Sequence, residues 1–202
     1  EGADIGDPKW LASLFGAIGM SFHQLKDYDK ALAYLGKSEA LFESIRNRSR
    51  VAQIRFQRAR SLLAVGHRAK AMETFREAER LASAAENPVL ETWIAMTASL
   101  AQVEAGEEAA GIAGLRSAHA RAGVLRDPAL GVAAAIGLAR GIKKVDATEA
   151  EQVLRDAINV LQDRPSPELG EMYAELSDVL SRRGLAEEAL GYSRRAFELS
   201  RR

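Results

Sequence analysis

The sequence predicts an all-α solenoid of about five antiparallel helix pairs. Three observations carry that expectation. A capping residue followed by proline recurs at Asp7-Pro8, Asn87-Pro88, Asp127-Pro128 and Ser166-Pro167. A small residue recurs at Ala31, Ala71, Gly111, Ala150 and Ala189, in steps of 40, 40, 39 and 39. The apolar residues, such as Ala52, Phe56, Ala59 and Leu63, follow a helical rather than a two-residue period.

Each cap-proline pair starts a helix, because the Asp, Asn or Ser side chain accepts from an orphan first-turn amide and proline needs no amide partner there. These starts predict helices from 8, 88, 128 and 167, and the period places another near Arg48, where the pair is missing. A second punctuation lies between the starts, at Lys26–Lys30, Gly66-His67-Arg68, Gly106-Glu107-Glu108, Val145–Thr148 and Gly184-Leu185-Ala186. There a glycine or polar residue ends one helix and polar residues open the next. In order, the helices are expected at 8–25, 28–45, 48–65, 68–85, 88–105, 108–123, 128–143, 147–162, 167–183 and 186–201. They group into units 8–45, 48–85, 88–123, 128–162 and 167–201 of a single repeat domain, 1–202.

The 202 residues include 28 basic and 28 acidic side chains, so no net field draws the chain to nucleic acid or anionic lipid. Cysteine is absent, which removes disulfides, thiolate metal sites and cysteine nucleophiles and fits a cytoplasmic location. No apolar run reaches the roughly 20 residues of a membrane-spanning helix. The opening at Glu1-Gly2, without methionine, suggests a domain excised from a larger protein.

The residues at the repeat positions resemble the tetratricopeptide repeat. The first unit shows Phe15, Ile18, Gly19 and Phe22, then Ala31, Leu35 and Ser38; the last shows Tyr173, Leu176, Ser177 and Leu180, then Ala189 and Ala196. Unit four departs from the pattern, with Leu138 where a small residue is expected and Gly141 where an aromatic is. The long unit and the opening Gly6-Asp7-Pro8 are similar to repeats in bacterial regulators and some cargo adaptors. The resemblance implies a right-handed superhelix whose concave face is lined by the first helix of each unit. Carried over residue by residue, it places Met20, His23, Gln53, Phe56, Arg60, Leu63, Trp93, Met96, Leu100 and Val103 in a ligand groove. Ala135, Ala139, Lys143, Glu171, Asp178 and Arg182 would extend it, and some of these side chains are expected in the interhelical core instead. The family's basic clamp for a terminal carboxylate is missing, since Gly16, Met20, Gln57, Trp93 and Thr97 hold its places.

Charge is uneven. Six arginines from Arg46 to Arg60 share a stretch without acids, while 81–115 has no lysine or arginine. Pairing between neighbouring units on a solvated surface is expected for these charges, with docking of an acidic peptide on the arginine helix as the alternative. His23, His67 and His119 lie in separate units without metal or triad spacing, and no phosphate loop is present. Glu107-Glu108 and Glu187-Glu188 open second helices, where acids suit the helix dipole. The chain is therefore expected to be no enzyme, to use no cofactor or metal, and to bind a protein or peptide as an adaptor or sensor region. Self-association through end repeats or charged faces is the second reading, and a small-molecule pocket among the Ala- and Gly-rich units three and four is a third.

Overall fold

The computed structural model describes residues 7–161 and 166–201. Ten α-helices and no strand occur among them: α1 Pro8–Gln24, α2 Tyr28–Ser44, α3 Arg48–Ala64, α4 Arg68–Ala84, α5 Pro88–Glu104, α6 Glu108–Leu125, α7 Pro128–Ile142, α8 Ala147–Leu161, α9 Pro167–Arg182 and α10 Ala186–Ser200. Adjacent helices pack in pairs. The expected end of the eighth helix at 162 and the opening Glu1-Gly2 lie outside the described residues.

All four sequence caps act as such. Asp7 accepts from the amide of Lys9, Asn87 from Leu90, Asp127 from Leu130 and Ser166 from Leu169, at 2.8–3.1 Å. The start without a proline is capped by Asn47, which accepts from the amide of Arg50. Most of the described turns share one construction. At the first, the amide of Lys26 donates to His23 and that of Asp27 to Phe22, at 3.0 and 2.9 Å. The same pair of bonds recurs at Arg46-Asn47, Gly66-His67 and Glu86-Asn87, so orphan carbonyls are satisfied within three residues. The residue in the left-handed region is glycine at 66, 106 and 184, but Lys26, Arg46, Glu86 and Arg126 occupy it elsewhere.

The chain divides into two compact units, Glu1–Ala95 and Met96–Arg202, with the boundary inside α5. In the first, Ala12, Leu35, Phe42, Val51 and Ile54 form a core cluster against which Leu41 and Leu81 pack. Small residues permit the close approach: a Cβ on Gly16 would lie 3.0 Å from Ile54 Cδ1, and one on Gly19 would lie 2.7 Å from Leu35 Cγ. The hydroxyl of Ser38 donates to the carbonyl of Ala12 at 2.7 Å, tying α2 to α1.

In the second unit α7 is buried almost throughout, including Leu130, Ala135, Leu138, Ala139 and Ile142. The departure of unit four from the aromatic pattern has a steric cause. Leu115 of α6 projects into the space a Cβ on Gly141 would need, so α6 fills from outside what an aromatic would fill from within. Gly111 brings α6 onto the backbone of α5, where a Cβ would meet Ser99 O at 2.7 Å and Val103 N at 2.8 Å.

These glycines predict opposite outcomes for one substitution. Gly111→Ala is expected to destabilise by about 1–3 kcal/mol, because backbone cannot yield to the added carbon. Gly36→Ala, in the middle of α2 with no neighbour within 4 Å, is expected to stabilise by roughly 0.5–1 kcal/mol. Urea unfolding of the two variants against wild type checks both signs.

Candidate functional site

In the first unit, α1 and α3 present His23, Gln53, Gln57, Arg60 and Leu63 at partly or fully exposed positions, beside Met20, which is 40% exposed. The face is held by its own polar bonds. His23 Nδ1 and Ser61 Oγ stand 2.9 Å apart, linking α1 to α3, and the His23 ring meets Tyr28 edge-on. Arg60 donates to Gln57 at 3.1 Å and lies over the Phe56 ring. Arg50 donates to Gln53 at 2.9 Å. Such solvent-facing bonds within one helix are readily exchanged for bonds to an incoming backbone.

The expected groove residues fall in different places. Phe56, 7% exposed, packs on Phe75 of α4 at 6.1 Å between ring centroids and forms floor rather than wall. Trp93 in α5 is half-buried. In the second unit, Met96 is 8% exposed and its thioether fills the space above Gly137. Leu100 and Val103 are brought together with Glu104, Glu108, Arg140, Lys143 and Lys144 around a cleft of about 290 Å³. Lys143 was expected near the groove; Arg140, one helical turn earlier on the same helix, was not, although the spacing of three residues was readable. Both are engaged: Arg140 pairs with Glu171 and Glu175, and Lys143 with Glu175 and Asp178 at 3.1 and 2.8 Å. Against the burial that opposes its charge, the bonds to Asp178 and Glu175 hold the Lys143 ammonium above its ordinary pKa.

The arginines of α3 have a buried anchor that sequence reading missed. Glu39 of α2, 6% exposed, accepts from Arg55 Nε at 2.6 Å and also pairs with Arg58. Arg55 reaches Glu43 at 2.8 Å and Glu77 at 3.5 Å as well. Their heads therefore pair with the neighbouring unit as expected, but around a buried carboxylate rather than on a solvated surface. A cleft of about 380 Å³ beside them is lined by Glu43, Arg46, Arg48, Val51, Arg55 and Leu81.

Among the described residues, no group of three or more His, Asp or Glu could hold a metal ion, and no helix is long and apolar enough to cross a membrane.

Residues 10–84 match the family model described as tetratricopeptide repeat. No curated protein sequence matches the chain. Several solved structures share its fold. Kinesin light chain TPR-like repeats of Podosopora anserina superpose with a TM-score of 0.74 at 15% identity, covering 97% of each chain. A Rap protein complexed with Competence and Sporulation Factor gives 0.77 at 14% identity, over 98% of this chain and 66% of that one. The Rap conjugation gene regulator of plasmid pLS20, in complex with a Phr peptide, gives 0.76 at 19% identity, over 91% and 51%. The fold is thus that of tetratricopeptide-like solenoids.

Removing the anchor, Glu39→Ala, is expected to cost roughly 2 kcal/mol, less than for a fully buried pair because the guanidiniums keep some contact with water. The double variant with Arg55→Ala should lose less than the two single losses combined, measured by urea unfolding. Burial lowers the pKa of His23, with Arg60 adding to the effect, and burial lowers that of His119 against the pull of Asp156. His119 Nδ1 is buried without a hydrogen-bond partner. Both imidazoles are thus held neutral in the fold. The unfolded chain binds their protons more readily, so stability is full above the ordinary value of 6.5 and falls as pH drops through it towards the lowered values. The melting temperature should fall between neutral and mildly acidic buffer, and His119→Gln should shrink that fall.

Proposed function

We propose that this chain, which is tetratricopeptide repeat over residues 10–84, is a protein-binding module that holds an extended peptide segment along the α1–α3 face of its first unit. It would act in the cytoplasm as an adaptor or sensor region of a larger regulatory protein, by binding rather than catalysis. One observation carries the reading: an apolar floor under exchangeable donors. Phe56 underlies the Arg60 guanidinium, which also bonds Gln57, and Met20, His23, Gln53 and Leu63 of the same two helices add partly or fully exposed apolar and hydrogen-bonding surface.

That combination suits a peptide. Its backbone offers carbonyls and amides to the glutamines and imidazole, and an apolar side chain can meet Met20, whose flexible thioether adapts to several shapes. Arg60, without an acidic partner at salt-bridge distance among the described residues, favours a carboxylate on the ligand. The two Rap structures, each holding a peptide or factor, support the reading at the level of fold. Leu100 and Val103, beside Arg140 and Lys143 in the second unit, provide a separate candidate contact region. Trp93, half-buried on α5, is proposed as a further contact of the first unit, whereas the buried Met96 is left to packing.

The test is selection of peptides from a random displayed library on the wild-type chain, followed by calorimetry of the selected peptides on variants. Met20→Glu with Arg60→Ala should weaken binding at least about tenfold, the effect of losing one or two anchoring contacts. The selected peptides should carry an acidic residue. Equal affinity for wild type and variant would remove the α1–α3 face as the site.

A further inference from the structure

We propose that a second copy of this chain docks head to tail, seating the side of α1 that carries Leu11, Leu14, Phe15 and Ile18 in the groove between α9 and α10. The inference is independent of the peptide reading, because it uses other residues.

The first unit contains the template for this contact. There α3 seats on the α1–α2 pair through Val51 and Ile54, which are 5% and 6% exposed and share a core cluster with Ala12 and Phe42. Ile54 lies against Gly16, and Arg55 and Arg58 converge on Glu39. Forty residues earlier in the repeat, Leu11, Leu14, Phe15 and Ile18 occupy the places of Val51, Ile54, Arg55 and Arg58. The register is checked by a third contact: Arg55 meets Glu77 of the following helix at 3.5 Å, and the matching Phe15 meets the matching Lys37, whose ammonium stands 5.6 Å from its ring centre. Yet Leu14 is 38% exposed where Ile54 is buried, and Trp10 beside it is 37% exposed.

The α9–α10 pair presents the receiving half. With Ala31 and Ala189 aligned, both of them buried, Gly170, Ala174, Ala196 and Phe197 take the places of Ala12, Gly16, Ser38 and Glu39. These four line an open cleft of about 620 Å³, and Phe197 is 62% exposed. A small-residue groove there matches the one that accepts Ile54 between α1 and α2.

The paired change of chemistry points to the occupant. Inside the first unit the contact is ionic, with one glutamate against two arginines. On these two open faces the glutamate position has become Phe197 and the arginine positions Phe15 and Ile18, so both halves have changed together from charged to apolar. The cluster that holds Val51 against Phe42 shows the same compensation, since Leu11 is larger than Val51 and Ser200, at the place of Phe42, is smaller. Each open face is therefore complementary to the other face of the same chain. Two different surfaces meet, so the contact is heterologous and passes from copy to copy rather than closing as a two-fold dimer.

Sedimentation of the 202-residue chain over a micromolar to millimolar range tests this. The wild type should show a mean mass rising continuously above 21.9 kDa with concentration. Phe197→Glu, at an exposed position, and Ile18→Arg, at a partly exposed one, should each remain at the monomer mass, with circular dichroism confirming their folds. Mixed, these two variants should associate again, because the mixture restores a glutamate-arginine pair at one junction and keeps the wild-type contact at the other. Met20→Glu should associate as wild type does. A wild type that stays monomeric throughout overturns the proposal and assigns the groove to another helix, of this polypeptide or of a different partner. Association that both variants leave unchanged, or separate variants that fail to complement, overturns it equally.

Discussion

The arrangement depends first on a turn that does two tasks in two residues. At Lys26-Asp27 the left-handed residue closes α1 through a pair of amide bonds, and the next residue already accepts from the first turn of α2. The same pair of amide bonds returns at Arg46-Asn47, Gly66-His67 and Glu86-Asn87, and Asn47 and Asn87 again cap through their side chains. Because no slack separates the helices at these turns, the direction of the second is set by the end of the first. Lysine, arginine and glutamate accept the left-handed region at three of these turns, and Arg126 does so before α7, although a bulky residue normally avoids it. The surrounding bonds must offset that local cost, so the turn geometry is imposed by the helix pair and not by glycine alone.

Close helix contact is the second constraint, and it explains where function can sit. Gly16, Gly19 and Gly111 let neighbouring helices approach until side chains of one occupy the space of the other. Whatever faces those contacts is committed to packing. Phe56 and Met96 show it, since both point where a groove was expected and both are spent largely on the core. The surface left over on α1 and α3 is polar with isolated apolar residues, the kind of surface on which the proposed peptide contact rests.

Much of this was legible in the sequence. The cap-proline pairs located four helix starts, and all four caps form the bonds that residue chemistry called for. The fifth start lacked its proline but retained Asn47, a cap that the spacing around Arg48 indicated indirectly. The site was harder to read, because a periodic apolar residue on a first helix can line a groove or fill a core, and the choice depends on the size of residues on another helix. Met96 is buried because position 137 is glycine, some forty residues away. Glu39 escaped notice for the same reason: nothing local marks one acidic residue on α2 as the partner of two arginines on α3. The one-residue shortening in the later units was visible in the step from 40 to 39, but its structural form, a turn after α7 where the amides of Val145 and Asp146 both donate to Ile142, was not.

The two-residue turn also bears on how such a gene can change. One residue added inside a helix would rotate everything beyond it by about 100° and carry the small residues away from their partners. Gain or loss of a whole unit disturbs neither the turns nor the contact register, since each new pair meets the same kind of face as the old. Length in this architecture is therefore free to vary in steps of a repeat, while single-residue changes are confined to turns such as the one after α7, which makes duplication and deletion by recombination its natural mode of evolution.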